Sequence, residues 1–509
     1  MAAPGVTSGP GIRPAPRLTA RDLIEIVADD GTFESWDEPP VDVHPDAEYA
    51  AALQKARERS GVDESVLTGA ALIRGRRVAL LVSEFTFLAG SIGVAAAERL
   101  VLAIERATRE RCAILAGPAS GGTRMQEGTI AFLGMAKIAA AVAAHKEAGL
   151  PYLVYLRHPT TGGVLASWAS LGHVTVAEPG ALIGFLGPRV YEALYGTPFP
   201  GDVQTAENIF RHGLVDAVLP PHALPGVIDR ALSVLLAPPA AEPPALPQSF
   251  DGELVSTWDS VTRSRRPDRP GVRALLRAAA TDVLPLNGTA QGENDPGLLL
   301  ALARFGAQPC VLLGHDRLPK RSSAPLGPAA LREARRGIRL SQELGLPLVT
   351  VIDTPGAALS REAEEGGLAG EIARCLAELV MLKSVTVSLI LGEGTGGGAL
   401  ALVPADVTLA AQHGWLSPLP PEGASAILHR DTTHAPELAA QQGVDSVAMK
   451  RAGIVDLIVP EHPDAADEAD RFSRRAGAAV EYSLARLAAE EPHDRFGRRL
   501  ERYRKLGLS

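Results

Sequence analysis

Ala116 to Gly128 reads AGPASGGTRMQEG, and it sets two adjacent glycines, Gly121 and Gly122, between an apolar run and a helix-like stretch. The preceding CAILAG is short and β-like. The following TRMQEGTIAFLGMAKIAAAVAAHKEAG carries Met125, Ile130, Leu133, Ile138 and Val142 near a helical stripe. The pattern puts Gly121-Gly122 at a helix N-terminus, where free N–H groups converge and missing side chains let a ligand reach the backbone. A thioester oxygen held against such donors becomes an enolate at modest cost. An isolated glycine pair is more often a tight turn without a ligand, so the rest of the chain must decide.

The second half weakens the bare-turn reading. LGEGTGGGALA, Leu391 to Ala401, again leads from a β-like run through glycines into a helix. Two glycine loops suggest two oxyanions, as a carboxyl transfer between an amide-like carrier and a thioester requires. The halves read as distant repeats. With Gly163 laid on Gly396, TGGVLASWASLGHVTVA from Thr161 sits over TGGGALALVPADVTLA from Thr395 within one residue of slippage at the glycines, and Val174-Thr175 meets Val407-Thr408.

A chain of 509 residues with 46% apolar composition can bury more than one core. Met1 to Arg17 is Pro/Gly-rich and reads as a flexible lead-in (residues 1–17). APPAAEPPALP, Ala237 to Pro247, forbids regular structure and marks a linker over 237–250 between domains at 18–236 and 251–509. The β-rich runs Arg77 to Phe85, Tyr152 to Leu156, Leu348 to Asp353 and Val385 to Gly392 alternate with Ala-rich helical stretches, an α/β pattern. A net charge of −9 without a basic cluster disfavours nucleic acid and anionic lipid. With no leader pattern and no apolar run near the ~18 residues that span a bilayer, a cytoplasmic protein is expected. Cys112, Cys310 and Cys375 stand far apart and read as buried thiols, with no zinc or other metal site.

SGGTRMQEG, HPTTGGVLASWASLGHVTVAEPGALIGFLGPRV and AENIFRHGLVDAVL resemble the β subunit of bacterial acetyl-CoA carboxylase carboxyltransferase. WDSVTRSRRPDRP, LGLPLVTVIDTPGA, GEGTGGGALAL, PPEGASAIL and KRAGIVDLIVPE resemble its α subunit. The resemblance runs from about Ala20 to Lys505, in β-then-α order, as in fused single-chain forms. It implies two crotonase-like (ClpP/crotonase) domains, each a twisted sheet with flanking helices. By the same resemblance, Gly121 and Gly122 hold the acyl-CoA enolate, and Gly397 and Gly398 hold the ureido oxygen of biotin. In the family, carboxybiotin releases carbon dioxide and the biotin enolate then takes the α-proton of the thioester. Ala89, Gly90 and Ser91, in EFTFLAGSIG, are candidates for gripping the CoA adenine, and Gly162 and Gly163 join the substrate-binding set.

The resemblance further implies biotin delivered in trans on a biotin carboxyl carrier protein, a biotin carboxylase partner, and a homodimer or larger assembly with the site across its interface. The product is malonyl-CoA or a homologue, as in fatty acid biosynthesis. Which acyl-CoA is used depends on pocket side chains that the sequence leaves open. The chain departs from the family pattern in lacking the four-cysteine zinc ribbon, in a compressed stretch after Gly314, and in TPGAALSREAEEGG. Two other readings remain: a decarboxylase component acting on a malonyl-type thioester, and a noncatalytic scaffold subunit. Ala448-Met449-Lys450 mimics a biotinylation tripeptide without its hairpin context. Ser120 with His158 or His173 suggests a hydrolase, but the G-x-S-x-G elbow is absent. Asp353 either faces the site or caps the next turn.

Overall fold

The computed structural model describes residues 17–237, 244–317 and 326–508. The lead-in over 1–16, residues 238–243 of the Pro-rich stretch and residues 318–325 of the compressed stretch lie outside the described residues. Among the described residues the chain forms a seven-stranded and an eight-stranded sheet of similar design, with a small two-stranded sheet beside them, and helices accompany each. In the amino-terminal half, strands Val66–Ile73 and Arg76–Ser83 form an antiparallel hairpin. Its two-residue turn, Arg74-Gly75, has positive φ at both positions, as the twist of a tight hairpin favours. Parallel strands Ala113–Gly117, Tyr152–Leu156, Val174–Ala177 and Ala217–Val218 follow in spatial order. The first two are buried along their whole length, the continuous apolar run of a sheet covered on both faces.

The carboxyl-terminal half repeats the plan. The hairpin Leu298–Phe305 and Gln308–His315 is followed by parallel strands Leu348–Thr354, Thr386–Thr395, Val407–Ala411 and Leu457–Val459. Val174 pairs with Leu153 in one sheet and Val407 with Val387 in the other, so the two stretches that align in sequence occupy equivalent strands. One buried apolar cluster runs through both halves, from Leu23 and Val78 through Leu232 to Leu300 and Ile338. Polar staples reinforce it. Arg336 of helix Pro328–Leu344 pairs with Asp216 at 2.9 Å, and Glu343 of the same helix lies 3.2 Å from Lys146 and 3.3 Å from His173 Nε2. All three cysteines are buried.

One helix departs from the expectation that no run approaches a spanning length. Met125–Glu147 is long and apolar enough, by length and composition, to cross a membrane. It packs against helix Val94–Arg109, and the expected stripe divides along it. Ile138 and Val142 are buried, whereas Met125, Ile130 and Leu133 are exposed. Of the early apolar residues of this helix, Phe132 and Leu133 face a space beside Gly121 instead of the core.

Candidate functional site

Gly121-Gly122 follows strand Ala113–Gly117 but does not begin the next helix. Helix Gly128–Glu147 starts six residues on, after a single tight turn at Met125–Glu127. The intervening residues are held extended against Ile92, which donates its N–H to Gly122 O and accepts the Arg124 N–H, both at 2.9 Å. The glycine amides are themselves engaged. Gly121 N–H donates to Ala89 O at 2.9 Å, and Gly122 N–H donates to Ser120 Oγ at 3.0 Å. Gly122 has φ +112°, which L side chains rarely adopt, and a Cβ there would stand 3.4 Å from Gly162 Cα and 3.5 Å from Gly163 N. The loop therefore abuts the first turn of the short helix Gly162–Leu165, which Thr161 immediately precedes. Gly162 N–H donates to Phe185 O at 2.9 Å, while Gly163 N–H has no acceptor among the described residues. A first helical turn leaves such donors unpaired.

The other half builds the same corner. Gly356 N–H donates to Thr354 Oγ1 at 3.2 Å, as Gly122 N–H does to Ser120, and Gly356 also has positive φ, +131°. Thr395 immediately precedes the short helix Gly396–Leu400, as Thr161 precedes its counterpart, and neither hydroxyl bonds the first-turn amides. A Cβ on Gly398 would lie 3.4 Å from Ala357 N. Gly397 N–H has no acceptor among the described residues. By position in the fold, Gly397 corresponds to Gly163, and the partner of Gly121-Gly122 is Pro355-Gly356. Sequence reading missed Gly356 and Ala357 because proline replaces the first glycine. The shared hydroxyl two residues before Gly122 and Gly356 was the available signal.

A buried clamp fixes the amino-terminal corner. Arg124 is paired with the buried Glu64 and reaches Glu127 at 3.4 Å, and its Nη2 donates to Ser91 O at 2.8 Å. Glu127 accepts from the Tyr49 hydroxyl and, at 2.5 Å, from Val94 N–H at the start of helix Val94–Arg109. Burial and the Glu127 carboxylate push the Tyr49 hydroxyl up to about 12. Ala89 and Gly90 form one tight turn, Leu88–Gly90, with Ala89 at φ +57°. Gly90 packs so closely that a Cβ would collide with Ala119 O. Ser91 Oγ donates to Leu88 O at 2.8 Å. Outside this turn, Arg17, Lys55, Arg59, Phe85 and Ala89 line a cleft of about 400 Å³.

Near the end of strand Leu348–Thr354, Asp353 is buried, accepts the Glu393 N–H at 3.2 Å and pairs with Arg317 at 2.5 Å. It ties adjacent strand ends together and accepts no hydrogen bond from the turn that follows it among the described residues. Burial raises its carboxyl, against the pull of Arg317 and Arg269. His315 Nδ1 accepts the Asp353 N–H at 3.3 Å, and burial holds this imidazole down to about 4. The hydrolase reading finds no pair. Ser120 Oγ is bound to Gly122, His158 Nδ1 accepts from Leu182 N–H and His173 Nδ1 from Tyr152 N–H. Lys450 sits in helix Ser446–Arg451, paired with Asp251 at 2.7 Å.

Residues 13–498 match the family model of the carboxyl transferase domain. The chain belongs to the carboxyl transferase domain family. It is 60% identical over 493 residues to the probable biotin-dependent acyl-coenzyme A carboxylase beta3 subunit of Mycobacterium tuberculosis H37Rv, covering 97% of this chain and 99% of that one. It is 38% identical to the acetyl-coenzyme A carboxylase carboxyl transferase subunits beta/alpha of Salinispora arenicola, over 88% and 83% of the two chains. The fold is that of transcarboxylase 12S, with a TM-score of 0.75 at 20% identity over 93% of this chain and 90% of the other. A single-chain, multi-domain long-chain acyl-CoA carboxylase superposes with a TM-score of 0.67 at 19% identity, over 90% of this chain and 45% of that one. Both sheets of this carboxyl transferase are thus crotonase-type layers.

Proposed function

We propose that this carboxyl transferase is the transferase component of a biotin-dependent acyl-CoA carboxylase, moving a carboxyl group from carboxybiotin on a separate carrier protein to the α-carbon of an acyl-CoA. The observation that carries the reading is the repeated corner: one half offers Gly163 N–H beside Gly122, the other offers Gly397 N–H in the short helix whose next residue, Gly398, lies beside Gly356 and Ala357. A reaction that develops negative charge on two oxygens needs two such donor sets.

Biotin fits the carboxyl-terminal corner because Gly396–Gly398 carry no side chains there, and a single Cβ on Gly398 would fill the space beside Ala357 N. A bound carboxybiotin would supply the carboxyl group, and Gly397 and Gly398 would hold its ureido oxygen with backbone donors. Gly163, with Gly121 and Gly122 shaping the corner, polarises the thioester carbonyl and lowers the cost of removing the α-proton. Arg124, Glu64 and Glu127 keep the Gly122 loop in place.

Arg17, Lys55 and Arg59 beside Ala89 offer cations to the phosphates of CoA, and the Leu88–Ser91 turn offers backbone to its adenine. Phe132 and Phe185 are exposed beside the amino-terminal corner, and Leu194, Leu359, Ile427 and Leu428 are further exposed apolar residues. Faces of this kind favour a homodimer or larger assembly, with one corner from each half meeting across the interface. Cytoplasmic location and a biotin carboxylase partner complete the proposal. The test is reconstitution with biotinylated carrier, biotin carboxylase, ATP and bicarbonate. Carboxylation of an acyl-CoA without a paralogous transferase supports the reading; loss of carbon dioxide from a malonyl-type thioester without ATP and bicarbonate, or no turnover by a folded chain, refutes it.

A further inference from the structure

Arg265 follows helix Thr257–Ser264 and reaches two carboxylates at once. Its Nε donates to Glu393 at 3.2 Å, and its two Nη atoms donate to Glu422 at 2.5 and 3.2 Å. Glu393 is buried near the end of strand Thr386–Thr395, which leads into the carboxyl-terminal corner. Glu422 lies in the first turn of helix Pro421–His429. The chain that enters this helix is a wall of the corner. Strand Trp415–Ser417 pairs with Glu393, Gly394 and Thr395, and a Cβ on Gly396 would stand 3.4 Å from Pro418 O. Among the described residues, no other side chain of helix Pro421–His429 makes a hydrogen bond or an ion pair, and Ser425 Oγ is buried without a partner. Arg265 is itself seated. Its guanidinium lies over the Trp415 ring, 5.5 Å from the centroid, and Ser264 Oγ accepts the Trp415 indole N–H at 2.8 Å.

We infer that Arg265 is a positioning residue of the carboxyl-terminal corner: by bridging Glu393 and Glu422 it holds the wall over residues 415–420 and the start of helix Pro421–His429 against Gly396, and so sets the opening through which biotin enters. The inference rests on the proposed function and names a residue that acts through the wall of that same site. A guanidinium presents its donors in one rigid plane, so the two carboxylates are fixed relative to each other and not merely neutralised. The hydrogen bonds of this side chain go to Glu393 and Glu422 and not to the glycines, so its loss moves a wall instead of removing a donor. A displacement of about 1 Å that spoils the approach of reacting groups costs about 100-fold in rate.

Arg265→Lys and Glu422→Gln test the bridge. The first keeps a charge beside Glu393 but replaces the fork with a single ammonium. The second, at a side chain 35% exposed, leaves the Arg265–Glu393 pair in place. Initial rates are measured in the reconstituted system with biotinylated carrier and thioester varied in turn. Amide hydrogen exchange is followed on the purified full chain, without carrier, over residues 396–400 and 415–429. Expected in both variants is a carrier KM raised about tenfold or more, a thioester KM within about twofold of wild type, and faster exchange confined to those residues. In either folded variant, an unchanged carrier KM, both KM values rising together, or unchanged exchange over 415–429 overturns the inference. A residue that only stabilises the fold would lower the active fraction without separating the two substrates. Should Arg265→Lys not fold, Glu422→Gln decides. If wild type carboxylates no thioester, the proposed function fails and exchange alone decides the bridge, faster exchange over 415–429 supporting it and unchanged exchange overturning it.

Discussion

Gly122→Ala separates backbone strain from loss of the corner. At φ +112° an alanine costs about 1–3 kcal/mol of backbone strain. Its methyl also stands 3.5 Å from Gly163 N, crowding the space that an accepting oxygen needs at about 2.9 Å. Loss of one preorganised donor lowers kcat by about 100- to 1000-fold, or about 3–4 kcal/mol of transition-state stabilisation. Gly128→Ala is the control, because Gly128 also has positive φ, +61°, but no heavy atom within 4 Å of the added Cβ. Urea unfolding measures the strain in both variants, and steady-state carboxylation with saturating carrier measures turnover. Expected is a stability loss in both and a large fall in kcat in Gly122→Ala alone. Matching kcat values in two folded variants would show that the Gly122–Gly163 corner does not handle the reacting oxygen.

Gly398→Ala adds its methyl 3.4 Å from Ala357 N without positive-φ strain, so turnover is expected to fall about 100-fold with little change in urea midpoint. Lys55→Glu with Arg59→Glu is expected to raise KM for the CoA thioester and leave KM for the carrier in place, which initial-rate kinetics checks; an unchanged thioester KM removes the cleft from the CoA site. Arg124→Met leaves the Glu64 and Glu127 carboxylates buried without their cation, and a loss of about 3–5 kcal/mol is expected by chemical denaturation. Acid is expected to destabilise the fold through its buried imidazoles. Burial holds His145 and His315 down to about 4, so their contribution is complete above pH 6.5 and is lost as pH falls from 6.5 to about 4, at about 1.4 kcal/mol per unit each. Burial pushes Glu333 up to about 8, which acts in the opposite sense. Its contribution is complete below pH 4.5 and is lost as pH rises to 8, so Glu333→Gln is expected to raise Tm at pH 8 and not at pH 4.5.

The sheets were largely legible in the sequence because their parallel strands are buried on both faces and read as unbroken apolar runs. Tyr152–Leu156 has the expected limits, and Leu348–Thr354 extends one residue beyond them. The repeat was legible at Val174 and Val407, where two strands share register and chemistry. The pairing of the glycine segments was not. Gly121-Gly122 and Gly397-Gly398 look alike as strings, yet one is a loop after the strand that follows the hairpin and the other is the start of a short helix one strand later. Spatial neighbours such as Gly163 beside Gly122 lie across a crossover, and linear spacing carries no trace of that contact. The engaged amides of Gly121 and Gly122 were also invisible, because their acceptors, Ala89 O and Ser120 Oγ, are set by a turn and not by residue type.

The apolar cluster that passes from Leu23 through Leu232 to Ile338 has a consequence for how such a protein can be made. Two separately synthesised halves would each present part of that cluster to water and would have to find each other by diffusion. Joined in one chain, they meet at an effective concentration of about millimolar, far above that of most proteins in solution. The covalent link therefore fixes a one-to-one count of the two corners and spares the unpaired halves from aggregating through their exposed seams.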